Sequence, residues 1–124
     1  MVAGASEGLG AAFARALAGR GLKLLLLARR AEVLEEVAAP LRAITEVRTA
    51  AIDLGEAELA ATLTALTGEL EVGLCVYNAA FSQVGPFLEQ ALAFPQRTID
   101  VNCRGPVIAA RVLGEWERGL IQGS

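Results

Sequence analysis

The 124-residue chain has no histidine, one tyrosine, two cysteines and a single lysine, Lys23. Without histidine, Ser-His-Asp and Cys-His nucleophilic catalysis are excluded, and so is every zinc site that uses a histidine ligand. Cys75 and Cys103 stand far apart inside apolar stretches, and neither has a partner at metal-ligand spacing. We therefore expect two buried, reduced thiols and no metal site.

Long hydrophobic runs and basic clusters are also missing. The longest apolar run, residues 24–28, has the length of a strand and is too short to cross a membrane. The start of the sequence does not show the pattern of a signal peptide, which is a charged segment followed by an apolar one. A net charge of -3 without a basic cluster argues against nucleic-acid binding. With 54% hydrophobic and 20% charged residues, the chain is expected to be one cytoplasmic globular domain.

Glycine is abundant, with 13 residues, and three glycines crowd together near the start as Gly4, Gly8 and Gly10. Glycine allows positive φ and lets a backbone approach a ligand closely. A helix that begins just after such a turn presents unpaired N–H groups to an anion. The G-x-x-x-G-x-G spacing is neither the usual dinucleotide fingerprint nor a P-loop. The alternative to an anion site is that this spacing arises by chance in a glycine-rich chain. The rest of the sequence is needed to distinguish the two interpretations.

Hydrophobic periodicity predicts strands and helices in alternation. Leu9, Phe13, Leu17 and Arg20, with Ala12 and Ala16, recur at helical spacing, as do Leu34, Val37, Ala38 and Leu41 in a second helix. Leu59, Leu63, Leu66 and Leu70 mark a third helix. The strands are predicted at residues 1–3, 22–28, 46–52 and 72–77, and a long final helix at residues 95–118. This βα alternation predicts an α/β fold, a doubly wound parallel sheet.

Polar and glycine residues follow each predicted strand. Gly4 follows the first strand, Arg29 and Arg30 the second, Asp53 the third and Asn78 the fourth. Ligands of open parallel sheets bind at the carboxyl ends of the strands. Four strand ends that converge on one edge favour a ligand site over chance.

The chain resembles the short-chain dehydrogenase/reductase family of Rossmann-fold, NAD(P)-dependent oxidoreductases. Gly4, Gly8 and Gly10 resemble its T-G-x-x-x-G-x-G loop, with Ala3 in place of the threonine. Asp53-Leu54 is similar to its adenine-contacting segment, and Asn78-Ala79-Ala80 to its N-A-G segment, with Ala80 in place of glycine. Val101-Asn102 is similar to the helix motif that carries its catalytic asparagine. These motifs cover nearly the whole chain.

The resemblance implies roles for these residues. The loop amides around Ser6 and Leu9 are expected to hold the pyrophosphate of the cofactor, and Asp53 to accept a hydrogen bond from the adenine. A plain polar cap on the strand end is the alternative for Asp53. Arg29 and Arg30 stand where an NAD-preferring enzyme carries an acid, so their charge favours the 2′-phosphate of NADP over NAD. A solvated arginine pair at a helix start is the alternative for these two residues.

Asn102 precedes a proline by four residues. Pro106 cannot donate to the carbonyl of Asn102, and Gly105 weakens the same turn. The sequence predicts a kink that frees this carbonyl for water, which fits the family's asparagine-anchored proton relay. The alternative is that Gly-Pro only shapes the packing.

The final helix is apolar on several faces, through Val101, Cys103, Val107, Ile108, Ala110, Val112, Leu113 and Trp116. Large apolar surfaces mark interfaces. In the resembling family the corresponding helix commonly packs against its twin, so we expect a homo-oligomer through residues 95–118. Ordinary core burial is the alternative.

The family's Ser-Tyr-Lys chemistry has no match. Tyr77 is the only tyrosine, no lysine follows it, and Ser82 and Ser124 stand outside a matching context. We therefore expect residues 1–124 to be a partial NAD(P)-binding Rossmann domain, a fragment that is inactive alone. In the complete enzyme the substrate would be a small carbonyl or alcohol. The other hypotheses are a non-catalytic nucleotide-binding or dimerising module and an inactive truncated product.

Overall fold

The computed structural model follows the alternation of strands and helices that the sequence predicts. It describes the backbone of residues 1–123 and the side chains of residues 1–115. The elements are β1 (Val2–Ala3), α1 (Gly8–Gly19), β2 (Leu24–Ala28), α2 (Ala31–Leu41), β3 (Val47–Ala51), α3 (Leu59–Thr67), β4 (Val76–Tyr77), a 3₁₀ turn (Phe87–Glu89), α4 (Ala93–Ile99), a π-helical turn (Asp100–Arg104) and α5 (Gly105–Gly123). They form two units, residues 1–53 with 74–79 and residues 54–73 with the chain from residue 80 onward.

The first unit contains a parallel sheet in the order β3-β2-β1-β4. The central strand β1 pairs on both sides, with Val2 opposite Leu26 on β2 and opposite Val76 on β4. All five residues of β2 are buried, as a strand covered on both faces requires. The predicted α/β, Rossmann-like parallel fold is confirmed.

Strand β4 is shorter than the predicted 72–77. Because β1 offers ladder partners only at Val2 and Ala3, regular pairing on β4 is confined to Val76 and Tyr77. Just before them, the Leu74 carbonyl accepts a hydrogen bond of 2.7 Å from the Met1 ammonium group. The length of β4 is therefore set by its neighbour and not by its own apolar pattern.

Helix α1 buries a different face from the one predicted. Ala11, Ala14 and Ala18 are buried with Gly10, whereas Leu9 and Phe13 are 69% and 44% exposed. The helix contacts β1 and β2 through this face of small residues, which lets its backbone approach the strands closely. The stripe of Leu9, Phe13, Leu17 and Arg20 was thus the wrong one, because both stripes have the same period and differ only in residue size.

Helix α2 buries the predicted stripe of Leu34, Val37, Ala38 and Leu41. Its outer face is tied to β3. Arg42 donates two hydrogen bonds to the Glu35 carboxylate, at 2.6 and 2.8 Å, and a third to the Val47 carbonyl at 3.2 Å. The Thr49 hydroxyl donates to the same carboxylate at 3.1 Å. We call Glu35, Arg42 and Thr49 the carboxylate clamp.

The second unit contains α3, α4, the π-helical turn and α5. Leu59 and Leu63 of α3 are buried as predicted, but Thr67 takes the third inward position while Leu66 and Leu70 are only half-buried. The Thr67 hydroxyl donates to the Leu63 carbonyl at 2.7 Å, which satisfies it in the helix interior. Helix α3 contacts α5.

The predicted final helix, residues 95–118, is α4, the π-helical turn and α5 in succession. Val101, Ala109 and Leu113 are buried, whereas Val107 is 69% exposed. The side chain of Trp116 lies outside the described residues. No helix in the part of the chain that the structure describes is long and apolar enough to cross a bilayer.

The cysteines are less buried than expected. Cys75 is half-buried next to β4, and Cys103 is exposed on the π-helical turn, which points Val101 inward instead. The expectation of a buried thiol at Cys103 is therefore wrong, since an apolar stretch on a helix has an outer face as well.

The carboxylate clamp predicts a specific acid sensitivity. Its hydrogen bonds from Arg42 lower the pKa of Glu35 from 4.5 to about 2. A depressed carboxyl pKa contributes stability that is complete above the unfolded value and is lost as pH falls through the folded value. The difference in urea midpoint between the wild type and Glu35→Gln should therefore be largest above pH 4.5 and vanish towards pH 2. Glu36→Gln, at the next exposed position, is the control, and equal pH profiles for the two variants would contradict the clamp.

Candidate functional site

The four strands of the first unit end at one edge of the sheet, which we call the carboxyl edge. Gly4 N–H donates to the Leu27 carbonyl at 2.8 Å, and Ile52 N–H to the Ala28 carbonyl at 2.9 Å. The N–H groups of Asn78 and Ala79 both donate to the Ala3 carbonyl, at 2.9 and 3.2 Å. The predicted convergence of Gly4, Arg29, Asp53 and Asn78 on one edge follows from these bonds, because they tie each departing loop to its neighbouring strand.

The glycine loop, residues 4–10, packs against itself and against the end of β4. A Cβ on Gly4 would lie 2.5 Å from the Ala79 nitrogen, and one on Gly10 would lie 1.8 Å from the Gly4 carbonyl oxygen. Gly4 and Gly8 have φ of +84° and +58°. At Gly8 a Cβ would meet nothing within 4 Å, so open space faces the loop there. Close packing requires glycine at two positions, and the third lies at an open surface.

Helix α1 begins at this open surface without a side-chain cap. Glu7 precedes the helix with extended backbone and makes no capping hydrogen bond. The first amide with a helical acceptor is that of Ala11, which donates to the Glu7 carbonyl at 3.3 Å. By helix geometry, the N–H groups of Gly8, Leu9 and Gly10 have no acceptor one turn earlier. With half-buried Ser6 before them, they offer the donors and the positive dipole end that an anion needs.

Arg29 and Arg30 follow β2 and are both exposed. Arg30 stands immediately before α2, and its Nη2 lies 3.6 Å from Oε1 of Glu7 in the glycine loop. The sequence reasoning did not single out Glu7. An acid in the glycine loop and a base after the next strand were the available signal, because adjacent parallel strands bring those two loops together.

Asp53 and Tyr77 are half-buried residues of the same unit. Burial, and after it the negative charge of Asp53, raises the pKa of Tyr77 to about 12. The phenol is therefore neutral at physiological pH and is a worse acid or base than an ordinary tyrosine. This supports the prediction that Tyr77 does not replace the missing catalytic tyrosine.

Leu54, Ala80 and Asn102 belong to the second unit. Leu54 is buried, with 4% of its surface exposed, and Ala80 is exposed. The side-chain amide of Asn102 makes two hydrogen bonds to the backbone of Phe81. Its Oδ1 accepts from the Phe81 N–H and its Nδ2 donates to the Phe81 carbonyl, both at 2.8 Å. The sequence pointed to the carbonyl of Asn102 and missed this side-chain role, which no local pattern reveals across 21 residues.

Phe81 is held on its ring as well as on its backbone. Its ring stacks on that of Phe94, with centroids 6.3 Å apart, and the Arg97 guanidinium lies 5.2 Å above it. The segment that follows Ala80 is thereby fixed within the second unit by Asn102, Phe94 and Arg97.

The helix around Asn102 departs from α geometry where the sequence predicts a break. Gly105 N–H donates to the Asp100 carbonyl, five residues back, as a π-helical turn requires. Pro106, one residue later, has no N–H to offer the Asn102 carbonyl. A widened π-helical turn thus lies directly before the proline, where the sequence predicts a kink. The release of the Asn102 carbonyl to water stays a prediction.

Comparison with known proteins gives the family. The family model for short chain dehydrogenase matches residues 1–119. The chain belongs to this family, and the resemblance in its motifs is thereby confirmed.

Individual relatives are about one-third identical to this chain over the aligned residues. A 7beta-hydroxysteroid dehydrogenase from Clostridium sardiniense is 36% identical over 106 residues, which cover 84% of this chain and 41% of the relative. L-xylulose reductase from Bos taurus is 31% identical, with 98% of this chain and 46% of the relative covered. The chain thus spans less than half the length of these curated relatives.

Solved structures agree with this assignment. A short-chain dehydrogenase from Sphingobium yanoikuyae in complex with NADPH superposes with a TM-score of 0.86 at 32% identity, over 99% of this chain and 48% of that one. The bulky-bulky ketone specific alcohol dehydrogenase from Comamonas testosteroni gives a TM-score of 0.87 at 28% identity, over 99% and 49%.

The packing of the glycine loop makes a prediction about stability. Gly10→Ala should destabilise the chain by about 2–3 kcal/mol, because the added methyl group overlaps the Gly4 carbonyl. Gly19→Ala, in the same helix with nothing within 4 Å, should be neutral or stabilising by up to about 1 kcal/mol. Urea unfolding of the two variants measures this difference, and equal stabilities would show that the loop is not packed as described.

Proposed function

We propose that this chain is the cofactor-binding portion of an NADP-dependent oxidoreductase that acts on a small-molecule substrate with a carbonyl or alcohol group. The observation that carries the proposal is the carboxyl edge, where uncapped helix amides and open space at Gly8 lie beside Glu7, which the Arg30 guanidinium contacts. When bound, the nicotinamide cofactor supplies or accepts the hydride. Residues 1–124 are proposed to be a partial NAD(P)-binding Rossmann domain.

The residues at the carboxyl edge suit a dinucleotide. The amides of Gly8, Leu9 and Gly10 and the Ser6 hydroxyl would hold the pyrophosphate, since these amides lack a helical acceptor and the surface at Gly8 is open. Asp53 would accept from the adenine amino group, and Leu54 would contribute only backbone because its side chain is buried. Asn78 and Ala79 hold the loop itself through the Ala3 carbonyl. The family resemblance implies a cofactor-binding role for Ala80 as well.

The choice of NADP over NAD rests on charge. Arg29 and Arg30 put two cations after β2, at the start of a helix, where a cation is unfavourable unless an anion offsets it. Glu7 already offers Arg30 one carboxylate. A 2′-phosphate is a stronger anion, and guanidinium groups bind phosphate with two parallel hydrogen bonds. The neighbour from Sphingobium yanoikuyae and a metagenomic short-chain oxidoreductase at 31% identity are in complex with NADPH and NADP respectively, which supports the same choice.

The chain alone is proposed to be inactive. Its single tyrosine has a pKa raised to about 12, and its single lysine, Lys23, precedes β2 at the opposite end of the sheet. Of the family's catalytic asparagine, serine, tyrosine and lysine, only the asparagine has a match here. We propose that Asn102 fills this role through its backbone carbonyl. The cytoplasmic location and the homo-oligomer through residues 95–118 remain predictions that accompany this proposal.

A non-catalytic nucleotide-binding or dimerising module is the second candidate. Exposed apolar side chains in the second unit favour the dimerising module; they are Val84, Phe87, Leu88 and Leu92. A dimer in sedimentation measurements, formed by a chain that binds neither NADPH nor NADH, would favour a dimerising module over the oxidoreductase.

Calorimetric titration with NADPH and NADH tests the proposal. NADPH should bind about tenfold more tightly than NADH, and Arg29→Gln should reduce that ratio about threefold by removing one charged donor to the 2′-phosphate. Arg20→Gln, at the far end of α1, is the control and should leave the ratio unchanged.

Two results would contradict the proposal. Equal affinity for both nucleotides, unaltered in Arg29→Gln, would remove the assignment of NADP. Reduction of a ketone by the chain alone would overturn the claim that the missing residues are required.

A further inference from the structure

The ion pair between Arg30 and Glu7 joins two loops of the carboxyl edge. Their charged atoms are 3.6 Å apart, and the two side chains are 63% and 75% exposed. The loops are adjacent because Gly4 N–H, at the start of the glycine loop, donates to the carbonyl of Leu27 near the end of β2. The pair therefore follows from the sheet register and lies directly beside the open surface at Gly8.

The ion pair between Arg30 and Glu7 caps neither α1 nor α2. Glu7 and Arg30 each precede a helix with extended backbone, and neither side chain makes a capping hydrogen bond. Their carbonyls start the helices instead, by accepting from Ala11 at 3.3 Å and from Leu34 at 3.1 Å. Exposed ion pairs of this kind are weak, so a stronger anion can displace one partner.

Glu7 already contacts Arg30, so a ligand anion that binds Arg30 would lie close to the Glu7 carboxylate. The glycine loop presents Glu7 as its acidic residue, and the first turn of α2 carries a second acid, Glu32. A dianionic phosphate at Arg30 must both replace the carboxylate and remain close to it, at a cost in like-charge repulsion. A ribose with free hydroxyls imposes neither cost, because the ion pair can persist beside it.

We propose that Glu7 competes with the 2′-phosphate of the ligand for Arg30 and is thereby a specificity-determining residue that narrows the preference for NADPH over NADH. This inference rests on the proposed function, because it concerns the same site. Glu7 is a positioning residue for Arg30 in the free chain and an opposing charge in the complex.

Calorimetric titration of the 124-residue chain with NADPH and with NADH tests the inference. Glu7→Gln should bind NADPH about fivefold more tightly than the wild type, as expected for the release of an exposed ion pair, and NADH within about twofold. Glu46→Gln is the matched control. Glu46 is an exposed acid paired at 3.5 Å with Lys23 and Arg48, at the opposite end of the strands, and its loss should alter neither affinity.

A second pair of variants separates competition for Arg30 from simple charge repulsion. In an Arg30→Gln background, Glu7→Gln should improve NADPH binding by less than about twofold, because the ion pair is already absent. A fivefold gain in NADPH affinity in that background would overturn the proposed competition, because Glu7 would then act through charge repulsion alone and not through Arg30.

The remaining outcomes are distinguishable. If the wild type prefers NADPH and Glu7→Gln leaves the ratio of affinities unchanged, this inference is overturned and the proposed function stands. If the wild type binds neither nucleotide, the proposed function fails, and the role of Glu7 fails with it.

Discussion

The pairing of β1 with both of its neighbours is the constraint on which the first unit depends. Val2 and Ala3 are the whole strand, yet they hydrogen-bond to β2 on one side and to β4 on the other. The Ala3 carbonyl accepts from both Asn78 and Ala79, and Gly4 is tied to Leu27. Without these bonds the glycine loop would have no fixed place relative to β2 or β4. The geometry of the candidate site is therefore set by two residues.

Much of the fold and part of the candidate site could be predicted from the sequence. The fold class, the buried stripe of α2 and the position of the polar residues after each strand follow from local periodicity and from the rule that parallel strands end at one edge. These features need only the order of elements. The sequence singles out the glycines for positive φ and for close approach to a ligand; the structure adds that Gly4 and Gly10 are also closely packed against the protein's own backbone.

The sequence predictions that the structure corrects share a physical cause. Each concerns a feature set by the elements that pack against a residue, which are distant in sequence. Helix α1 offers two stripes of equal period, and only the distance to the sheet selects the alanine face over Leu9 and Phe13. The length of β4 is limited by β1, and Cys103 lies on the outer side of its turn. The Glu7 and Asn102 side chains find partners far along the chain, which a local pattern does not encode.

The central claim is that the uncapped amides at the start of α1 bind a phosphorylated dinucleotide. Backbone amide shifts of the ¹⁵N-labelled chain, followed during titration with NADPH, test it most directly. We predict the largest changes at Gly8, Leu9 and Gly10 and at Arg29 and Arg30, with little change at Gly19 and Arg20 at the other end of α1. Saturable changes confined to other residues, with the glycine loop unaffected, would contradict the claim.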